Sequence, residues 1–173
     1  MNTPTKRTSL LLGLAVSFQV LVLIGEYVSA SIPAWTGQEV RLATIPYDPR
    51  SLFRGNYARL RYDFSRVNVN QFEDYENLRN GEKVYLKLKL DDKGIHQPNG
   101  VSLQQPGEGV FIRGRIANRH YTKDVQEFTL KFGIEAFFAP KQKALQLEKD
   151  LRGGGIAVVM VAANGKAVLT AIE

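Results

Sequence analysis

Apolar residues run from Leu10 to Ile24 with no polar stripe, and beyond residue 38 the pattern changes to short alternating runs. Lys6 and Arg7 precede the apolar run, and no charge follows until Glu26. A spanning helix needs roughly 20 apolar residues, and Thr8, Ser9 and the shoulder from Gly25 to Ser31 bring the run to that length. A buried core helix would carry a polar stripe. A cleaved signal would share the basic start, with Val28-Ser29-Ala30 as its small-residue exit. The pattern is read as a cytoplasmic tail at 1–8, a transmembrane anchor (or uncleaved signal) at 9–31, a linker at 32–38 and an extracytoplasmic β-domain at 39–173. The location expected is the inner or plasma membrane, crossed once, with the C-terminal domain periplasmic.

The remainder predicts strands. Glu39–Ile45 is rich in β-branched residues. Ala58, Leu60, Tyr62 and Phe64 share one face of the next run, opposite Tyr57, Arg59, Arg61 and Asp63. Val84–Leu90 and Val110–Ile116 alternate in the same way, and Phe128, Leu130 and Phe132 continue the pattern, with Gly133 marking a bulge before Ile134–Phe138. Ile156–Ala162 and Lys166–Ile172 flank Asn164-Gly165, a favoured two-residue hairpin turn. The stretch from Ile156 is apolar on both faces, as a central covered strand requires. Pro140–Leu151 predicts a short amphipathic helix ending at Gly153-Gly-Gly155. Val69–Asn80 reads as a helix or a long loop, and Asp91–Gly109 as a mobile connection. The fold class expected is mainly β: an N-terminal transmembrane helix, then an antiparallel barrel or sandwich with one short helix.

Composition narrows the chemistry. The 173 residues contain no cysteine, which excludes disulfides, thiolate catalysis and Cys-based metal centres, and two histidines, His96 and His120, make a histidine-rich metal site implausible. No cofactor is expected. The formal charge is +6, of which Lys6, Arg7 and Glu26 contribute only one net unit. The folded part is therefore basic and suits an anionic partner. Outside the cytoplasm that partner is not nucleic acid.

Two groups of residues are candidates. The first is a corner: Asp48-Pro49 starts a turn, Gly55 pivots the chain into a strand, and Arg50 and Arg54 offer bidentate donors beside it. Its plain reading is structural, with Asp48 or Glu135 paired to an arginine; its functional reading is a docking or anion-binding site. Glu135, among Phe132, Ile134, Phe137 and Phe138, is expected to pair with Arg113 or Arg61. The second is a stripe of outward basic residues, Arg59, Arg61, Lys87, Lys89, Arg113, Arg115 and Lys131, which form one cationic face if their strands are neighbours. A solvated face is the default reading. Its alternative is contact with anionic lipid or an acidic polymer. A Ser/Lys hydrolase using Ser51 is disfavoured, because Lys83, Lys87 and Lys89 fall at a strand start or alternate outward and would stay charged.

Gly55-Asn-Tyr-Ala-Arg-Leu-Arg-Tyr62 resembles the motif of the GDYXXLXY family of membrane-anchored bacterial proteins, matching at Gly55, Tyr57, Leu60 and Tyr62. Asn56 replaces the motif's aspartate, so that position is not an essential acid here. Pro46 to Arg54 is similar to the family's lead-in, and Phe132–Phe138 with Leu147-Glu148 to a second block. The resemblance implies little about chemistry; the function expected is a non-enzymatic accessory or scaffold subunit for an integral membrane partner, with Asp48, Pro49, Arg50, Arg54, Gly55, Asn56, Tyr57, Leu60, Tyr62 and Glu135 as its docking or structural corner. Binding of an anionic ligand by the basic face is the alternative, and an anchored hydrolase the third reading.

Overall fold

The computed structural model describes residues 6–45, 57–72, 75–121, 126–138, 140, 147 and 153–173. The apolar run lies in a helix, α1 (Lys6–Thr36), long and apolar enough to cross a membrane, and its apolar window is not covered by the rest of the chain. The helix does not stop at 31. It runs through Pro33 to Thr36, so the stretch expected as a linker is almost entirely helical. Proline is tolerated there because the one backbone bond it removes is replaced by a side chain from outside the helix, described below. Gly37 then closes the last turn by donating its N–H to the Pro33 carbonyl at 2.9 Å. Only glycine fits: a Cβ here would lie 2.3 Å from the Pro33 carbonyl oxygen and 2.9 Å from the Val161 nitrogen.

Ten strands follow among the described residues: β1 (Gln38–Ala43), β2 (Tyr57–Arg59), β3 (Arg66–Asn68), β4 (Lys83–Leu90), β5 (His96–Ser102), β6 (Val110–Tyr121), β7 (Gln126–Lys131), β8 (Ala136–Phe138), β9 (Ile156–Val161) and β10 (Ala167–Ile172). They make an antiparallel five-stranded sheet in the order β3-β7-β6-β4-β5, a three-stranded sheet β1-β9-β10 and a short pair β2-β8. Hydrogen bonds join the margins: Arg113 N–H to the Gly165 carbonyl at 2.7 Å, Ile45 N–H to the Arg61 carbonyl at 2.9 Å, and Arg41 N–H to His96 Nδ1 at 3.3 Å. The result is a half-barrel around one core. The alternating residues that point inward fill it, including Val40 and Leu42, Val84 and Leu86, Ile112 and Ile116, Phe128 and Leu130. As its apolar faces require, β9 is the central strand of its sheet.

Several local expectations change. Asp91–Gly109 is not a loose connection: it contains β5, which pairs with β4 through a tight turn. Asp91 organises that turn, its Oδ1 accepting the N–H groups of Lys93 and Ile95 at 2.9 Å each. Pro98 is accommodated because β5 is an edge strand. Among the described residues of Val69–Asn80 there are two single 3₁₀ turns, Val69–Gln71 and Tyr75–Asn77, and Val69, Phe72, Tyr75 and Leu78 recur at every third position, the 3₁₀ period, facing the core. Ala58, Leu60, Tyr62 and Phe64 are all buried, although only Tyr57–Arg59 are in regular strand. The β9–β10 turn is a three-residue loop, Ala163-Asn164-Gly165, in which Gly165 N–H bonds the Ala162 carbonyl at 2.8 Å and Gly165 takes a positive φ, +77°. The predicted helix at 140–151 falls almost wholly outside the described residues; Leu147 is helical and buried in the core.

Candidate functional site

Strand register brings charges of one sign into line. Lys83 on β4 stands opposite Arg115 on β6, and Arg115 stands opposite Lys131 on β7. Directly opposed side chains in antiparallel strands lie about 5 Å apart at Cβ, and like charges so placed repel. Arg113, two residues before Arg115, projects from the same face. Lys166 arrives from the β9–β10 turn, which is held there by the bond between Gly165 and Arg113. These five cations line one open hollow of about 670 Å³, whose other walls include Gly81, Gly133 and Ala167. No acidic residue among those described lines it.

Two of the cations are fixed by neutral groups. Arg115 Nη1 donates to the Gly81 carbonyl at 2.6 Å, and Lys166 Nζ donates to the Ser29 carbonyl of α1 at 2.8 Å. Among the described residues Arg41 pairs with Glu173 outside the hollow, and none of the five cations meets a carboxylate. Among the described residues no carboxylate compensates the repulsion across the row. Local conflicts of this kind are expected where a site serves a ligand.

The expected basic stripe therefore divides. Arg113, Arg115 and Lys131 converge, as neighbouring strands allow. Lys87 and Lys89 share the outer face of β4 but lie beyond the hollow, opposite Phe111 and Gln97. Arg59 and Arg61 belong with the short pair β2-β8 and line a second hollow of about 720 Å³, together with Arg66, Asp63 and Glu135. Its signs are mixed. Lys131 alone borders both. Lys83 and Lys166 were missing from the stripe read in the sequence. Register with Arg115 brings in the first, and the second is recruited by a turn distant in sequence, so only its place after Asn-Gly hinted that it would protrude.

At the corner, Asp48, Pro49, Arg50, Arg54, Gly55 and Asn56, with Ser51, lie outside the described residues, as does the side chain of Tyr57. What flanks them is described. Leu60 and Tyr62 are buried, and Tyr62 stacks on Phe64 with ring centroids 5.0 Å apart. The Tyr62 hydroxyl donates to the Ile134 carbonyl at 2.9 Å. Burial, and then the nearby Glu135 charge, push its pKa far above the usual phenol range, so it remains a donor. The Glu135 carboxylate is not held as an arginine partner was expected to hold it. It accepts the backbone N–H groups of Phe132 at 2.6 Å and Gly133 at 3.0 Å, capping the turn between β7 and β8. A turn with positive φ at Gly133 leaves those two amides without strand partners, and Glu135 is near enough to satisfy both. The motif segment and the Phe132–Phe138 block thus pack on each other: β2 pairs with β8, and Leu60 N–H bonds the Glu135 carbonyl at 2.9 Å.

Among the described residues no group of three His, Asp or Glu side chains is placed to hold a metal ion. His96 is buried, and its Nδ1 is occupied as an acceptor.

Comparison with curated proteins and with solved structures finds no match to this chain. A family model described as GDYXXLXY protein matches residues 19–172, which take in half of α1, both packed blocks and all five cations of the hollow. The chain belongs to the GDYXXLXY protein family.

Proposed function

We propose that this protein is a single-pass, membrane-anchored, non-catalytic module of bacteria whose extracytoplasmic β-domain binds anionic groups at the membrane surface. The observation that carries this reading is the hollow lined by five cations, with no carboxylate among its described walls. A site built for bond-breaking needs groups whose protonation states differ, whereas this one offers only donors of one charge. Arg113 and Arg115 supply planar forks suited to phosphate or carboxylate, and the lysines supply compact charge. The uncovered apolar surface of α1 supports anchoring.

The test is retention of the full chain, in neutral detergent, on a phosphate-bearing resin. The double variant R113E/R115E elutes at clearly lower salt than wild type. The control K87E/K89E changes the charge equally and elutes later than R113E/R115E. Equal elution of the two variants would show attraction by net charge alone and remove the site.

Docking to an integral membrane partner is the second reading, and one observation favours it. Ile45 and Arg61 are hydrogen-bonded, so the chain leaves for residues 46–56 and returns at one rigid margin underlain by Tyr62 and Glu135. Segments displayed from such a base commonly carry recognition. In this reading R50A or R54A abolishes co-purification with a partner while thermal unfolding is unchanged. Unfolding of both variants would make the corner a part of the fold only.

A further inference from the structure

We infer that the ligand of the cationic hollow is a lipid headgroup carrying two phosphates, held at the outer surface of the membrane that α1 crosses. The inference rests on the anion-binding reading above and adds the ligand's source and charge. Depth argues for a lipid. Between Ser9 and Ser29 the helix is about 30 Å long at about 1.5 Å per residue, equal to a hydrocarbon core of about 30 Å. Arg7 then lies near one headgroup layer, and the Ser29 carbonyl, with the Lys166 ammonium bonded to it, reaches the other. Tyr27 and Trp35, both largely exposed on α1, bracket that second level as interfacial aromatics do.

Chain geometry brings the hollow to the same depth. Gln38 at the head of β1 pairs with Val161 at the end of β9. The β9–β10 turn therefore continues past the helix end and runs back along α1, so that Lys166 meets Ser29 about 10 Å short of Thr36. A soluble polymer would need no such descent. Glu26, about one turn closer to the bilayer, does not line the hollow.

Charge and span argue for two phosphates. Strands lie about 4.8 Å apart, so the row Lys83, Arg115, Lys131 extends about 10 Å, more than one phosphate covers. Five cations without an acid leave a charge that a singly ionised phosphodiester does not balance. Two phosphates joined by a short linker fit both the row and a hollow of about 670 Å³.

Native mass spectrometry of the full-length chain in neutral detergent tests this, with diphosphatidylglycerol, phosphatidylglycerol, phosphatidylcholine and inorganic pyrophosphate as probes. Diphosphatidylglycerol is expected to bind saturably, about tenfold tighter than phosphatidylglycerol, the value of one added charge-assisted contact. K83A/R115A and K166M each weaken it at least fivefold, while K87A/K89A leaves it unchanged. Thermal unfolding of each variant verifies the fold; these side chains project from the surface of the sheet, outside the core. Equal affinity for the two glycerol lipids would overturn the two-phosphate assignment. Pyrophosphate binding as tight as the lipid's would overturn the lipid source while leaving the anion-binding reading intact. Binding of no probe, together with identical resin elution of R113E/R115E and K87E/K89E, would remove both.

Discussion

Lys166 donates its ammonium to the carbonyl oxygen of Ser29, the acceptor that Pro33, four residues on, has no N–H to reach. A proline inside a helix frees one carbonyl, which then needs a donor from elsewhere. Here a charge from the far end of the chain fills the gap. One interaction thereby keeps the helix continuous, holds the β9–β10 turn against it and fixes one wall of the cationic hollow.

That coupling predicts a non-additive pair. K166M leaves the Ser29 carbonyl without its donor and speeds hydrogen exchange of the amides between Ala34 and Gly37. P33A restores the intrahelical donor, so the double variant K166M/P33A exchanges more slowly than K166M alone. Additive effects of the two substitutions would show that the bond does not sustain the helix end.

Tyr62 predicts a stability effect separable from any binding. Y62F removes the donor to the Ile134 carbonyl and costs about 1–2 kcal/mol, the usual consequence of orphaning a buried acceptor. Its aromatic stack on Phe64, and the edge-to-face contact of Phe64 with Phe132 at 5.5 Å, are retained. Y62A also opens a cavity and costs about 3–5 kcal/mol. Urea unfolding of the full chain in detergent measures both.

His96 predicts a pH response. Burial lowers its pKa, the Asp91 charge opposes that shift, and the nitrogen accepting from Arg41 must be unprotonated. Above pH about 6.5 the folded and unfolded chains both carry a neutral ring, and the contribution is complete. Below that, the unfolded chain takes up a proton that the folded chain resists, so stability falls as pH drops. H96Q therefore flattens the dependence of the urea midpoint between pH 7 and 5 relative to wild type. Parallel curves would place the titration elsewhere.

Gly165 predicts a link between turn geometry and the hollow. Its φ of +77° disfavours any side chain, and a Cβ would lie 2.7 Å from the Phe111 ring. The backbone alone makes G165A about 1–2 kcal/mol less stable. Because Gly165 ties the turn to Arg113, the same variant displaces Lys166 and elutes from phosphate resin at lower salt.

The alternation of apolar and polar residues was enough to locate most strands. In β4 the outward lysines and inward Val84, Leu86 and Leu88 fall where a period of two puts them. It failed at β5, where Pro98, Asn99 and Gly100 look like loop residues. An edge strand tolerates them because one side has no partner to satisfy. It failed for Glu135 too, since a carboxylate's backbone partners are set by how a turn folds, and no spacing announces them. The basic stripe was half legible: the outward residues were identifiable, but which strands lie side by side was not.

By itself, then, the sequence determined the apolar helix, the mainly β class, the excess of basic charge and the family, because each depends on local periodicity, composition or a contiguous motif. Tertiary structure alone decided that Lys83, Arg115 and Lys131 form a row, that Lys166 joins them, and that Pro33 can stand within a helix. Those outcomes depend on strand order and register, which pair residues far apart in the chain through hydrogen bonds available to every residue alike. Periodicity states which face a side chain takes; only the assembled sheets state what it faces.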